Sequence, residues 1–256
     1  VAKVRGARAV RRAGIVCGRA ALLALFLGVW TYAVGRWIDP QFLSTPLDVL
    51  IALFGLVTSG RLWPHLMQTL VEVLSGYSLG AIFGAILALI VGLWEPVHRV
   101  LRPYLIAVYS IPKIALAPLI IMWFGLGTAP KVILAASFVF FLVFMNTAAG
   151  MRSVSQSHIN VLRVMGASKL ALLWKIMLPS SAPFLITGLR LSIPDAMIGV
   201  VIGEFMASNV GLGYLVNSAA AQFNTAVSLA AIVALLCIVT ALDFLLSVTE
   251  RWLFRW

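Results

Sequence analysis

Residues 132–151, VILAASFVFFLVFMNTAAGM, are twenty consecutive positions without a charged side chain. A bilayer core takes about 20 apolar residues per helix. Several further windows of this kind follow one another as blocks, not as alternating or amphipathic patterns. Only helices and closed barrels satisfy their backbone in lipid. A barrel would show short segments of dyad alternation, and the sequence has none. The expected fold is therefore all-α, a polytopic membrane protein with about six transmembrane helices. Composition agrees: 62% of the residues are hydrophobic and 11% are charged, where a soluble domain carries about 25% charged residues.

The hydropathy places spans at about 18–37, 64–93, 98–124, 129–150, 181–205 and 226–249. The N-terminus combines a basic stretch with an apolar run, as a signal peptide does. No small-residue cleavage site follows, so it is expected to stay as an uncleaved first helix. The net charge of +11 is explained by cytoplasmic loops and not by nucleic acid. With the N-terminus inside, the inner segments hold 14 Lys and Arg, the outer ones only Arg36, Arg61 and Lys131, and Lys113 and Arg190 fall within spans. Both termini are thus expected in the cytoplasm. Residues 1–63 form an N-terminal region with tail, first helix and outer segment. Residues 64–256 form the core with five helices. The outer stretch LDVLIALFGLV is about three helical turns, expected at the outer interface or packed on the other helices.

Within the second span, Gly76, Gly80, Gly84, Ala88 and Gly92 recur every four positions and share one helix face. Small residues let another helix approach closely, so this stripe is expected to be a packing seam. The third span carries Pro103, Pro112 and Pro118. Each removes a backbone donor and can kink a helix. Broken helices often line pathways, while bent packing helices are the alternative.

Residues 163–179, RVMGASKLALLWKIMLP, interrupt the apolar blocks with a basic, glycine-broken segment. Ser168 is suited to cap a helix. Leu170, Leu173, Trp174 and Met177 then follow at i, i+3, i+4 and i+7. Gly166 can take the left-handed conformation of a turn between two short helices, and Pro179 is expected to close the second one. Such an element can dock in a groove of a partner or lie on lipid headgroups.

The spacing from Gly166 to Ile176, Met177, Leu178 and Pro179 resembles the cytoplasmic E-A-A-x3-G-x9-I-x-L-P motif of permease subunits of binding-protein-dependent ABC importers. Asn160, Val161 and Leu162 stand where that motif has E-A-A, so the acidic head is missing. The stretches SIPKIALAPLIIMWFGLG (110–127), NTAAGMRSV (146–154), GLRLSIPDAMIGVVIGEF (188–205) and GLGYLV (211–216) are similar to the nitrate/sulfonate/taurine branch. The resemblance implies a type I importer permease in a bacterial inner membrane, working as a homodimer with two cytoplasmic ATPase subunits and a periplasmic solute-binding protein. It implies that Asn160–Leu162, Gly166, Ala167, Ser168, Leu170, Leu173, Trp174, Ile176, Leu178 and Pro179 form the ATPase-coupling element. It also implies that ATP and Mg are bound by the partner ATPase. No cofactor is expected in this chain, which has no GxxxxGK[ST] phosphate loop.

Charges inside spans are costly. Lys113, beside Pro112, and Asp195 fall near mid-span, and they either line the translocation route or form a buried pair that fixes packing. Glu72, Glu204 and Asp243 fall nearer span ends. Glu204, Ser208 and Asn209, with Gly211 and Gly213, form either an outer gate or an ordinary turn. A secondary transporter would need an internal repeat or coupling-ion site. An intramembrane enzyme would need a convergent catalytic constellation. Neither is visible in the sequence.

Overall fold

A computed structural model describes the backbone of residues 2–253. The side-chain surroundings of residues 1–13, 15, 93, 95, 98, 102, 156, 169, 170 and 252–256 lie outside that description. The chain folds as α1 (Ala2–Ala33), α2 (Pro46–Thr58), α3 (Leu62–Leu93), α4 (Glu95–Ser110), α5 (Lys113–Phe124), α6 (Thr128–Arg152), α7 (Gln156–Val164), α8 (Lys169–Leu172), a π-turn at Leu173–Met177, α9 (Leu178–Ala207), α10 (Leu212–Ala221) and α11 (Thr225–Leu253). Among the described residues there is no β-strand, only one isolated bridge between Val34 and Ile38. The all-α expectation holds. Five helical stretches are long and apolar enough to cross a bilayer, and six if α4 and α5 count as one broken span.

The chain divides into two compact units. The first comprises residues 1–61 and 216–231. In it α2 starts with a capping box: the Asp48 N–H donates to Thr45 Oγ1, and the Asp48 carboxylate accepts from the Thr45 N–H. That motif satisfies two backbone donors at the helix start. Trp30 Nε1 donates to the Ser44 carbonyl at 3.1 Å, and Ser44 Oγ lies 2.6 Å from Thr225 Oγ1.

The second unit comprises residues 62–215 and 232–256. Its core is three long helices, with α6 packed along both α3 and α9. The spacing of small residues explains why. A Cβ on Gly76 would lie 2.5 Å from the Ala135 Cβ, and one on Gly80 would lie 2.5 Å from the Ala136 carbonyl. One on Gly84 would lie 2.6 Å from the Phe140 carbonyl, and one on Gly92 would overlap the Met151 side chain. Ala88 is fully buried against the cluster of Val91, Phe144 and Ala148. The stripe therefore runs along the backbone of α6, at contact distances that leave no room for larger residues. A second set of close approaches joins α9 to α6. There Gly199 meets the Ala135 backbone and Gly203 meets Lys131.

The third expected span is broken rather than bent. The axes of α4 and α5 differ by 86° across Ile111 and Pro112. A proline drives the preceding residue out of the helical region. Ile111 is accordingly extended (φ −65°, ψ 127°), which stops α4, and Pro112 then precedes α5. Pro103 and Pro118 sit inside their helices.

Pro179 does not close a helix, contrary to the expectation. The course runs on from α8 through the π-turn into α9, with Pro179 in the first turn of α9. Within a helix, proline lacks the donor and clashes with the carbonyl four residues back. Here the turn just before it widens, and the Leu178 N–H reaches the Leu173 carbonyl five residues back. A π-bulge absorbs one extra residue without ending the helix.

Candidate functional site

Two places in the second unit carry the polar groups of interest, at opposite ends of the three-helix core.

The first is the α7–α8 loop. Helix α7 ends in a Schellman motif: the Gly166 N–H donates to the Arg163 carbonyl at 3.0 Å and the Ala167 N–H to the Leu162 carbonyl at 2.9 Å. That geometry needs a left-handed residue after the helix, and Gly166 has φ +82°. Ser168 then caps the next helix, its Oγ accepting from the Ala171 N–H at 3.2 Å. Around this turn the exposed surface is strongly apolar: Val161, Val164, Met165 and Trp174 are all exposed. Asn160 is also exposed, whereas Leu162, Ala167, Ile176 and Leu178 are half-buried. Leu173 and Trp174 do not share one stripe. Leu173 is buried in the fold and Trp174 points outward. The Leu170 side chain lies outside the described residues.

The second place lies at the other end, where α3 begins and α9 ends. Its centre is a group that the sequence did not bring together. Lys131, an outer-segment cation by the charge pattern, sits in the first turn of α6 and is buried. Its Nζ lies 2.5 Å from Glu72 Oε1, and both residues are almost fully excluded from solvent. Gln68 Nε2 donates to the same carboxylate oxygen at 2.7 Å, and Lys131 Nζ also donates to Ser208 Oγ at 3.1 Å. Glu204 is buried beside them and accepts from Thr69 Oγ1 at 2.7 Å and from the Gly213 N–H at 2.5 Å. The Leu212 N–H donates to Thr69 Oγ1 at 2.8 Å, and the Gly211 N–H donates to His65 Nδ1 at 3.1 Å.

Residues 208–213 thus fold back over Glu204 and are held through their backbone. Gly211 (φ +133°) faces the Glu204 carboxylate so closely that a Cβ would overlap it. Next to this cluster lies an open cavity of about 620 Å³, lined by Gln68, Thr128, Lys131, Ser208 and Asn209 among others. Of the expected route residues, Ser208 and Asn209 line it directly.

Lys113 and Asp195 do not form the close pair considered above. Lys113 Nζ lies over the rings of Tyr109 (4.6 Å), Phe141 (5.1 Å) and Phe138 (5.4 Å). Asp195 interacts with it through space, outside ion-pair contact. A cation over an aromatic face is stabilised by the ring quadrupole, more strongly where water is excluded. Arg190, five residues before Asp195, turns instead to α11, with Nη2 at 2.6 Å from Glu250 and 2.7 Å from Ser247 Oγ. Neither the aromatic cage around Lys113 nor the turn of Arg190 towards α11 was read from the sequence.

Comparison with known proteins gives one consistent answer. Residues 80–255 match the family model described as binding-protein-dependent transport system inner membrane component. A probable ABC transporter permease protein of Haemophilus influenzae is 36% identical over 230 residues, covering 88% of this chain and 93% of that protein. The taurine transport system permease protein TauC of Escherichia coli is 32% identical over 240 residues, covering 91% and 87%. In fold, the chain is similar to a solved inward-facing structure of the MetNI methionine ABC transporter, with a TM-score of 0.64 at 18% identity, covering 76% of this chain and 98% of that one. Together with the apolar spans, these matches identify the chain as a multi-pass membrane protein of the binding-protein-dependent transport system inner membrane component family, the permease component of ABC importers and not a catalytic subunit.

Proposed function

We propose that this permease forms, with a second copy of itself, the translocation path for a small solute of the sulfonate, taurine, nitrate or pyrimidine-precursor type. The taurine permease likeness supports the solute class. A solute-binding protein delivers the solute on the outer face, and cytoplasmic ABC ATPases, which bind ATP and Mg, drive the cycle. The energy enters as nucleotide-linked closure of the ATPases, which biases the permease between its two access states. Lys113, Pro112, Asp195, Glu204, Ser208 and Asn209 border the path in this reading. The break at Pro112 and the cavity beside Ser208 and Asn209 support it.

The observation that carries the proposal is the α7–α8 loop. Gly166 fixes a tight left-handed turn, and apolar side chains stand exposed on both sides of it. An exposed apolar group of this kind marks an interaction site, and the family match supports an ABC ATPase as the partner. The deciding experiment is purification of the permease with an ABC ATPase, followed by ATP hydrolysis measured with and without binding protein and solute. Hydrolysis that ignores both would overturn the importer reading.

Gly166→Val tests the coupling role by itself. No atom lies within 4 Å of a Cβ placed there, so the effect is one of backbone strain, not collision. A left-handed L-residue costs roughly 1–2 kcal/mol, and a branched side chain is worse. The spans should insert normally, while ATPase recovery or solute uptake falls several-fold. Gly166→Asn, which tolerates this conformation, should retain more of both. Wild-type uptake and ATPase recovery in Gly166→Val would leave the loop as a surface element only.

The excess of Lys and Arg on one side supports a cytoplasmic position for this loop and both termini. Ser59 and Ser168 are exposed and fall on opposite sides in this reading. Single cysteines introduced there, in a background without Cys17 and Cys237, should react differently with an impermeant thiol reagent on intact cells. Ser59→Cys should label and Ser168→Cys should not; the reverse result inverts the topology.

A further inference from the structure

We propose, resting on the importer reading above, that the cavity beside Ser208 and Asn209 is a binding site for the transported solute. It takes a solute without net negative charge and holds it by hydrogen bonds. Of the solute types named above, uncharged pyrimidine precursors and zwitterionic taurine fit, whereas nitrate and simple alkanesulfonates do not. The cavity measures about 620 Å³, within the range of small-molecule sites, about 300–1,000 Å³. Its wall combines apolar Leu126, Met206 and Val210 with a few polar groups, the make-up of such sites generally.

The exclusion of anions follows from charge. Among the described residues that line the cavity, Lys131 is the only ionisable one. Its side chain is 3% exposed, and its Nζ lies 2.5 Å from Glu72 Oε1 with Ser208 Oγ as a second acceptor. The ammonium is therefore matched by a carboxylate before any solute arrives. Glu204, buried beside the pair, is a carboxyl and adds no positive charge in either protonation state. Lys113 of α5 is not part of the lining and lies over the rings of Tyr109 and Phe141. An anion that leaves water for this cavity finds no free counter-charge there, and such a transfer is unfavourable.

The polar groups that remain are neutral and suited to hydrogen bonding. Gln68 gives its Nε2 to Glu72, which leaves its side-chain carbonyl oxygen as an acceptor. Ser208 accepts from Lys131 and donates to the Val210 carbonyl, so it shapes the wall and has little capacity left for a solute. Thr128 and Asn209 are exposed on the wall. A hydroxyl and an amide can each both donate and accept. This set matches the amino group and ring nitrogens of an aminopyrimidine, or the two ends of a zwitterion. It offers no fixed charge to hold either of them.

Saturation-transfer NMR titrations of the purified permease in lipid nanodiscs, without ATPase or binding protein, test this with three probes. They are cytosine, taurine and ethanesulfonate, the last lacking the ammonium group of taurine. Cytosine or taurine should bind wild type about tenfold more tightly than ethanesulfonate, or better. Thr128→Val and Asn209→Leu should each weaken that binding several-fold. Glu72→Gln removes the carboxylate that matches Lys131, and ethanesulfonate should then bind about tenfold more tightly than it does to wild type. Thr128→Lys puts a free cation on the exposed wall and should act in the same direction, so the test survives if Glu72→Gln does not fold. A wild type that binds ethanesulfonate as tightly as the other two, or binds none of the three, overturns the proposal. So does binding that Thr128→Val and Asn209→Leu leave unchanged, or an ethanesulfonate affinity that the added cation does not raise. ATP hydrolysis that ignores binding protein and solute overturns the importer reading instead, whatever these titrations show.

Discussion

Lys131→Met will destabilise the fold by about 3–5 kcal/mol, the cost of breaking a buried ion pair from one side. The lysine is 3% exposed and its partner Glu72 is fully buried, so the substitution leaves a buried carboxylate without its counter-charge. The same substitution also removes the contact to Ser208 and with it part of the hold on residues 208–213. Methionine keeps the stem volume, so packing against Gly203 should survive. The loss is therefore electrostatic, and it has a signature. Glu72→Gln combined with Lys131→Met should restore most of the stability, because neither charge is then left alone. Denaturant titration in detergent micelles measures all three variants. A single variant that unfolds like the wild type, or a double variant no better than Lys131→Met, would show that the pair is not what holds this end of the core together.

Gly80→Leu will abolish most of the extractable, monodisperse protein. A Cβ at this position lies 2.5 Å from the Ala136 carbonyl, 2.7 Å from the Val139 Cβ and 3.0 Å from the Phe140 nitrogen. Two of these three are backbone atoms, which cannot rotate away. Overpacking a core costs typically about 1–3 kcal/mol where side chains can yield. Here the helices themselves must part, so the effect belongs at or above the top of that range. In lipid no hydrophobic drive pulls them together again, since helix association rests on close contact. Ile82→Leu is the control: Ile82 is 55% exposed, and its exchange should leave yield and size-exclusion profile unchanged. Equal profiles for both variants would remove the seam as the organising contact.

The stripe was legible because its period is local. Five small residues at every fourth position lie on one face of any α-helix. What the stripe touches was not legible, since nothing in residues 76–92 points to the backbone of α6. The Gly166 turn was readable for the same local reason: a glycine after a short helix and a serine two residues later specify a Schellman end and a new cap. The expected stop at Pro179 failed because a proline ends a helix only when the preceding turn stays regular. One wider turn at Leu173–Met177 gives the chain another way to continue. That choice depends on packing around buried Leu172 and Leu173, which a propensity argument does not contain.

The charges divide in the same way. Sequence alone settled that this chain is helical and crosses a membrane several times, because uncharged runs of bilayer length permit little else. It also supplied the motif that led to the permease family. Only the tertiary structure decided which charges meet. Glu72, Lys131 and Glu204 lie on three different helices, far apart in sequence, and each alone reads as an ordinary residue near a span end. Lys113 and Asp195, similar in apparent depth, were the more inviting pair, yet aromatic rings hold the lysine. Depth follows from counting residues along one helix. Partnership depends on how each helix is rotated about its axis, and that rotation is set by the glycine contacts of α3 and α9 with α6.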